Sequence, residues 1–128
     1  MEFLTPEWCD ELVSRTAAAA PVLRDVVVEL QLTGAPRGRG RITFTVDGGR
    51  LVSCVPEPAD APDLKLKATH DDARATLRGE LDPNAAFMAG DLKSDGPTGP
   101  LLALLAAYRR PGAVSAREAL DAQTTDPA

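Results

Sequence analysis

Twice between residues 25 and 46, apolar side chains fall on every second position, and that period commits this part of the chain to a sheet with one greasy face. In DVVVELQLT (residues 25–33), Val26, Val28, Leu30 and Leu32 point one way and Asp25, Glu29 and Gln31 the other. The next run sets Ile42, Phe44 and Val46 against Arg41, Thr43 and Thr45. Asp47, Gly48 and Gly49 then supply the chemistry of a tight hairpin turn, so a third antiparallel strand is expected to end near Val55. A half-apolar sheet needs a second layer to cover it.

The rest of the chain supplies that cover. Thr5 followed by Pro6 reads as a helix start, with Leu4, Trp8, Leu12 and Val13 on one face and Pro21 as the stop. The prolines of PEPADAP (residues 56–62) lack the donor a ladder needs and mark a loop. DLKLKAT (residues 63–69) alternates again, with Leu64, Leu66 and Ala68 inward. Thr69 is placed to cap a helix reaching Arg78, whose first turn carries Asp71 and Asp72. Asp82 and Pro83 open another short helix, bearing Phe87 and Met88 and stopped by Gly90. A short strand is expected over residues 91–94, and Thr98 then caps the most apolar helix, with Leu101, Leu102, Leu104, Leu105 and Tyr108. Burying four leucines is worth roughly 6 to 12 kcal/mol, comparable with the stability of a whole domain, so this helix must be covered. The reading is one α+β domain over residues 1–110, followed by a polar, loosely ordered tail over residues 111–128 that holds at most a turn or two of helix.

Composition narrows the functional classes. With 44% hydrophobic and 26% charged residues in 128, the chain is long and apolar enough for one real core. Aromatic residues are only 4%, so any cavity is walled mainly by Leu, Val and Ala. A net charge of -5 argues against nucleic acid and against an anionic membrane as the main partner. The acidic start MEFLTPEWCDEL is no leader peptide, and the longest apolar run, residues 101–107, is far too short to span a bilayer, so a cytoplasmic protein without stable membrane insertion is expected. Abundant Ala, Arg, Gly and Pro suit a GC-rich bacterial genome. Cys9 and Cys54 read as small buried apolar residues with free thiols, a single bridge between them staying open.

Catalytic chemistry finds little support. His70 is the sole histidine, which leaves no base for a separate nucleophile, and it reads as a solvated or locally bonded side chain. A calcium loop beginning at Asp91 would need ligands where Lys93 and Leu102 stand. Asp71 and Asp72 are consecutive on a helix and point apart. The arginines of APRGRGR (residues 35–41) lack interleaved aromatics and phosphate-loop spacing, and read as a solvated connection. No paired Cys and His suggest zinc, and no catalytic residue, metal or cofactor is expected.

The order of these elements, and GELDPNAAFMAGDLKSDG before a leucine-rich helix, resembles the sterol carrier protein type 2 lipid-binding domain. Gly79, Leu81, Asp82, Pro83, Phe87, Met88, Gly90, Leu92, Lys93 and Gly96 carry the likeness, while Asp91, Ser94 and Pro97 depart from it. The resemblance implies a mainly antiparallel five-stranded sheet, covered by helices on one side and enclosing an apolar tunnel for fatty acids, acyl thioesters, sterols or similar lipids. The expected wall is Phe44, Val46, Leu64, Leu66, Phe87, Met88, Leu92, Leu101, Leu102, Leu105 and Tyr108, with Arg109 and Arg110 as a polar mouth and the Tyr108 hydroxyl facing a polar ligand end. Non-catalytic carriage of a hydrophobic small molecule is the leading reading. A cyclase or isomerase acting on an apolar intermediate and a module that forms a homodimer through its leucine helix are the alternatives.

Overall fold

The computed structural model describes residues 1–16, 25–35 and 40–126. Its elements run α1 (Pro6–Thr16), β1 (Val26–Thr33), β2 (Arg41–Asp47), β3 (Arg50–Val55), β4 (Leu64–Thr69), α2 (His70–Arg78), α3 (Pro83–Ala89), β5 (Lys93–Asp95), α4 (Thr98–Tyr108) and α5 (Pro111–Ala122). The strands form one sheet in the order β3-β2-β1-β4-β5. Only the central β1 and β4 pair in parallel, so the sheet is mixed but mostly antiparallel, as expected. The parallel pair follows from the proline loop, which carries the chain from the outer strand β3 across to the free side of β1. Asp63 fastens the crossing, its backbone N–H donating to the Val27 carbonyl and its carboxylate accepting from the Val27 N–H, each at 2.8 Å.

Register decides what each face of the sheet carries. Val28 lies opposite Phe44 on one side and Leu64 on the other, and Leu30 lies between Ile42 and Leu66. These side chains share the face that meets the helices. Glu29 and Thr43, opposite each other in the ladder, point to the other face. The loop over residues 56–62 covers them there: the Thr43 hydroxyl donates to the Glu57 carbonyl at 2.6 Å and Ala59 donates to the Glu29 carboxylate at 3.0 Å.

On the helical face the core has two clusters, one around Trp8, Ile42 and Leu120 and one around Val28, Leu64, Leu101 and Leu105, with Phe44 packed against both. The helix signals read from the sequence operate. Thr5 accepts from the Trp8 N–H at 3.4 Å, and Thr69 accepts from the Asp72 N–H at 3.0 Å. Gly90 ends α3 in the left-handed conformation, φ 83°. Gly96 is needed for space as well as for its φ of 137°, because a Cβ there would lie 2.8 Å from the Asp63 carbonyl oxygen.

The largest correction concerns the tail. Residues after Pro111 form a twelve-residue helix, α5, and Leu120 is among the most deeply buried side chains. Ala116 and Leu120, four apart, bury one stripe of α5. Long-range polar ties then hold the segment. Arg74 pairs with Asp121 at 2.5 Å and Asp126 at 2.7 Å, the Trp8 indole donates to Thr124 at 3.0 Å, and Phe3 donates to the Thr125 carbonyl at 3.0 Å. None of these partners is near its mate in sequence, which is why a polar composition read as loose. Two smaller differences are that β5 begins at Lys93, and that Pro97 rather than Thr98 occupies the cap position of α4. Pro21 and most of the arginine-rich connection lie outside the described residues.

Candidate functional site

The helices do not fill the space above the apolar face. Among the described residues, one cavity of about 420 Å³ and another of about 320 Å³ lie there, and neither is sealed from the surface. The first lies over Val28, Phe44, Val46, Leu51 and Leu66, under Leu104 and Ala107 of α4 and the corner from Arg110 to Ala113 where α4 meets α5. The second lies over Leu30, Phe44, Leu66 and Ala68, and is walled by Trp8 and Leu12 of α1, Ala73 and Leu77 of α2, Ala86 of α3, and Leu92, Tyr108 and Arg117. Phe44 and Leu66 line both, so the two volumes meet across these side chains. The walls are almost wholly carbon, and their sizes fall at the low end of the range of about 300 to 1,000 Å³ usual for small-molecule pockets.

The helical period of α4 explains its division of labour. Leu101 and Leu105, four apart, are buried at 3% and 7% exposure and pack onto the sheet. Leu104 and Tyr108 form the next stripe and face the cavities, while Leu102 turns outward at 55% exposure.

The polar groups at the cavities are few. The Tyr108 hydroxyl donates to the Thr76 carbonyl at 2.7 Å, and burial raises its pKa above the ordinary phenol value, so it stays a protonated donor with a settled partner. Arg109 sits at the surface in an ion pair with Asp82, and its guanidinium holds that carboxyl below the usual range. Arg110 lines the first cavity beside Arg50. The Arg117 guanidinium lies over the Tyr108 ring, 3.6 Å from its centroid, in the wall of the second cavity.

A family model described as the SCP-2 sterol transfer family matches residues 5–107. The chain belongs to that family. A comparison with curated proteins finds no match. Among solved structures, a crystal structure of sterol carrier protein 2 is similar with a TM-score of 0.67 and 19% identity, over 94% of this chain and 98% of that one. A conserved hypothetical protein of Thermus thermophilus gives 0.63 and 21%, over 100% and 94%. Palmitated SCP2L2 from Aedes aegypti gives 0.61 and 16%, over 79% and 90%. At these identities the structural likenesses establish the fold, and the family is established by the model match.

Within this SCP-2 fold, the residues expected to form the wall divide into three groups. Phe44, Val46, Leu66, Leu92 and Tyr108 line the cavities, and so does Arg110. Leu64, Leu101 and Leu105 are packed core beside them, and Phe87 packs against the same cluster. Met88 and Leu102 face outward at 78% and 55% exposure, on the sides of α3 and α4 turned away from the sheet and the cavities. The enclosed tunnel implied by the resemblance is replaced by two neighbouring open cavities. Leu12, Leu30, Leu51, Leu104 and Arg117 were not in the expected wall. Leu30 and Leu51 lie opposite expected wall or core positions in the ladder, and Leu104 is four residues before Tyr108, so the strand and helix periods carried that signal. Arg117 had no local signal, since its place depends on α5.

Other candidate chemistry is structural. His70 is half-buried against the Phe3 ring, with centroids 5.4 Å apart. Cys9 and Cys54 are buried free thiols that hydrogen-bond each other, and this bond together with burial pushes the Cys54 thiol up, which keeps it protonated. Arg41 pairs with Glu29 at 3.4 Å.

Proposed function

We propose that this protein binds and carries a hydrophobic small molecule, a fatty acid, acyl thioester, sterol or similar lipid, and performs no covalent chemistry on it. The observation that carries this reading is the pair of carbon-walled cavities meeting at Phe44 and Leu66, which the side chains of the described residues leave unfilled. Water in such a space forfeits hydrogen bonds, and an apolar guest releases it while burying its own surface. Family membership supports the same reading, and so does the palmitate named for the Aedes aegypti protein of the same fold. Of the groups near the cavities that could move a proton, Tyr108 donates to a backbone carbonyl and Asp82 holds Arg109.

Leu104→Arg tests the assignment. Leu104 lines the first cavity and is only half-buried, so the folded domain should tolerate the change while a charge enters the binding space. Binding of a fluorescent fatty acid is expected to fall at least tenfold, with an unchanged far-UV circular dichroism spectrum. Native mass spectrometry of the purified wild type, before and after organic extraction, should show loss of a small apolar mass. A folded Leu104→Arg variant with undiminished binding would overturn the placement. A wild type that binds no apolar probe would overturn the function.

A further inference from the structure

Arg117 is the single cation among the described residues lining the second cavity. Five other arginines have carboxylate mates: Arg15 with Glu11, Arg74 with Asp121 and Asp126, Arg78 with Asp126, Arg41 with Glu29 and Arg109 with Asp82. Arg117 has none within ion-pair distance among the described residues. Its Nε is buried without a hydrogen-bond partner, and one face of its guanidinium is taken by the Tyr108 ring. The Tyr108 hydroxyl is spent on the Thr76 carbonyl. A buried donor left unpaired is unfavourable, and stacking on a ring holds the guanidinium plane fixed while its N–H groups, which lie in that plane, have no acceptor among the described residues.

Resting on the carrier reading above, we infer that Arg117 receives the oxyanion end of the carried molecule, so that this protein selects apolar chains ending in an acidic group over neutral ones of the same length. An oxyanion at Arg117 would complete its charge-assisted bonds. The chain behind it would run past Leu66 and Phe44, which both cavities share, into the first cavity. Asp72 and Asp91 also line the second cavity, Asp91 as an exposed rim residue, and they define the competing outcome, a preference for an amine.

The experiment compares dodecanoic acid, dodecyl phosphate, dodecanol and dodecylamine by calorimetry near neutral pH, on the wild type, Arg117→Gln and Arg117→Lys. The acids are expected to bind about 10- to 100-fold tighter than the alcohol, the range for a charge-assisted hydrogen bond. The two acids, compared with each other, separate a carboxylate from a phosphate as the preferred head. Arg117→Gln should remove most of the preference, lowering affinity for the acids at least about tenfold more than affinity for dodecanol, and Arg117→Lys should keep part of it. Equal affinities for acid and alcohol in the wild type, a preference for the amine, or a preference that survives Arg117→Gln would each overturn the inference and leave carriage intact. Failure of all four probes to bind the wild type would overturn both. Since equal affinities for acid and alcohol in the wild type overturn the inference whatever the variants do, a poorly folding variant does not rescue the idea.

Discussion

The two faces of the central strands are built from the same alternating sequence and solve opposite problems. Toward the loop over residues 56–62, Glu29 is 2% exposed, and its carboxylate accepts from Gln31 at 2.6 Å, Ala59 at 3.0 Å and Arg41 at 3.4 Å. Toward the helices, the neighbouring Leu30 borders an unfilled cavity with no polar bond to make. The polar side of the sheet is filled and satisfied, and the apolar side is partly empty. A domain of this size has only about 5 to 15 kcal/mol to spend on an imperfect interior. Solid packing around Leu64 and Ile42 and the bonded face under the proline loop are what allow the hollow between them and the helices.

If that contrast is right, truncations should cost most where packing is solid. Leu64 is wholly buried, and its Cδ1 lies where Gly96 approaches so closely that a Cβ there would come within 3.2 Å. Leu64→Ala is expected to lower stability by about 2 to 5 kcal/mol in urea denaturation. Leu66→Ala, two residues along the same strand but already beside both cavities, should cost clearly less. Equal losses at the two positions would show that the hollow is not a packing defect in the folded protein.

Glu29→Ala ranks next, at about 1 to 3 kcal/mol, because it strands the Gln31, Ala59 and Arg41 donors in a covered site. Acid titration sharpens the point. The bond from Gln31, followed by those from Ala59 and the charge of Arg41, lowers the Glu29 pKa against the desolvation that would raise it. A carboxyl whose folded pKa lies below its unfolded value, about 4.3, contributes stability that is complete above that value and is lost as pH falls through the folded one. The wild type should therefore lose stability below about pH 4 more steeply than Glu29→Gln. Parallel curves for the two proteins would mean that the loop face contributes nothing electrostatic.

This division also explains what could be read in advance. Strands β1 to β4, the caps at Thr5 and Thr69 and the stop at Gly90 are local devices, and each appears where its residues announce it. The inward set Phe44, Val46 and Leu66 was legible because a period of two fixes a side. Whether an inward residue touches space or another side chain depends on how the helices land, which is why Leu64 and Leu66 read alike and differ in place. The burial of Glu29 and the helix α5 rest on partners dozens of residues away, and no window along the chain contains both halves.

Enlarging a side chain should invert the ranking seen on truncation. Leu66→Trp adds volume where both cavities meet, so stability is expected to stay within about 1 kcal/mol of wild type or to rise, while affinity for an apolar probe falls at least tenfold. The same substitution at Ile42, which is wholly buried among packed neighbours, should cost about 1 to 3 kcal/mol or more. Thermal melts with and without a fluorescent fatty acid separate the two effects. A Leu66→Trp protein that is both destabilised and still binds would mean that the space closes in solution and that the probe sits elsewhere.

The smallest effect is expected at the leucine that points away. Leu102 shares α4 with Leu101 and Leu105, yet it is 55% exposed and lines neither cavity. Serine at this position leaves no void, because the side chain already meets solvent, and it removes an apolar surface that contributes little to the fold. Leu102→Ser should shift stability by no more than about 0.5 kcal/mol, the range for surface substitutions, and leave probe affinity unchanged. The two alternatives for the outer stripe predict different outcomes. If α4 buries its outer stripe against a second copy of the chain, Leu102→Ser should weaken self-association in sedimentation and lower the melting temperature in a concentration-dependent way. If the stripe faces water, both stay put, and the functional weight of α4 rests on Leu104 and Tyr108 on its inner side.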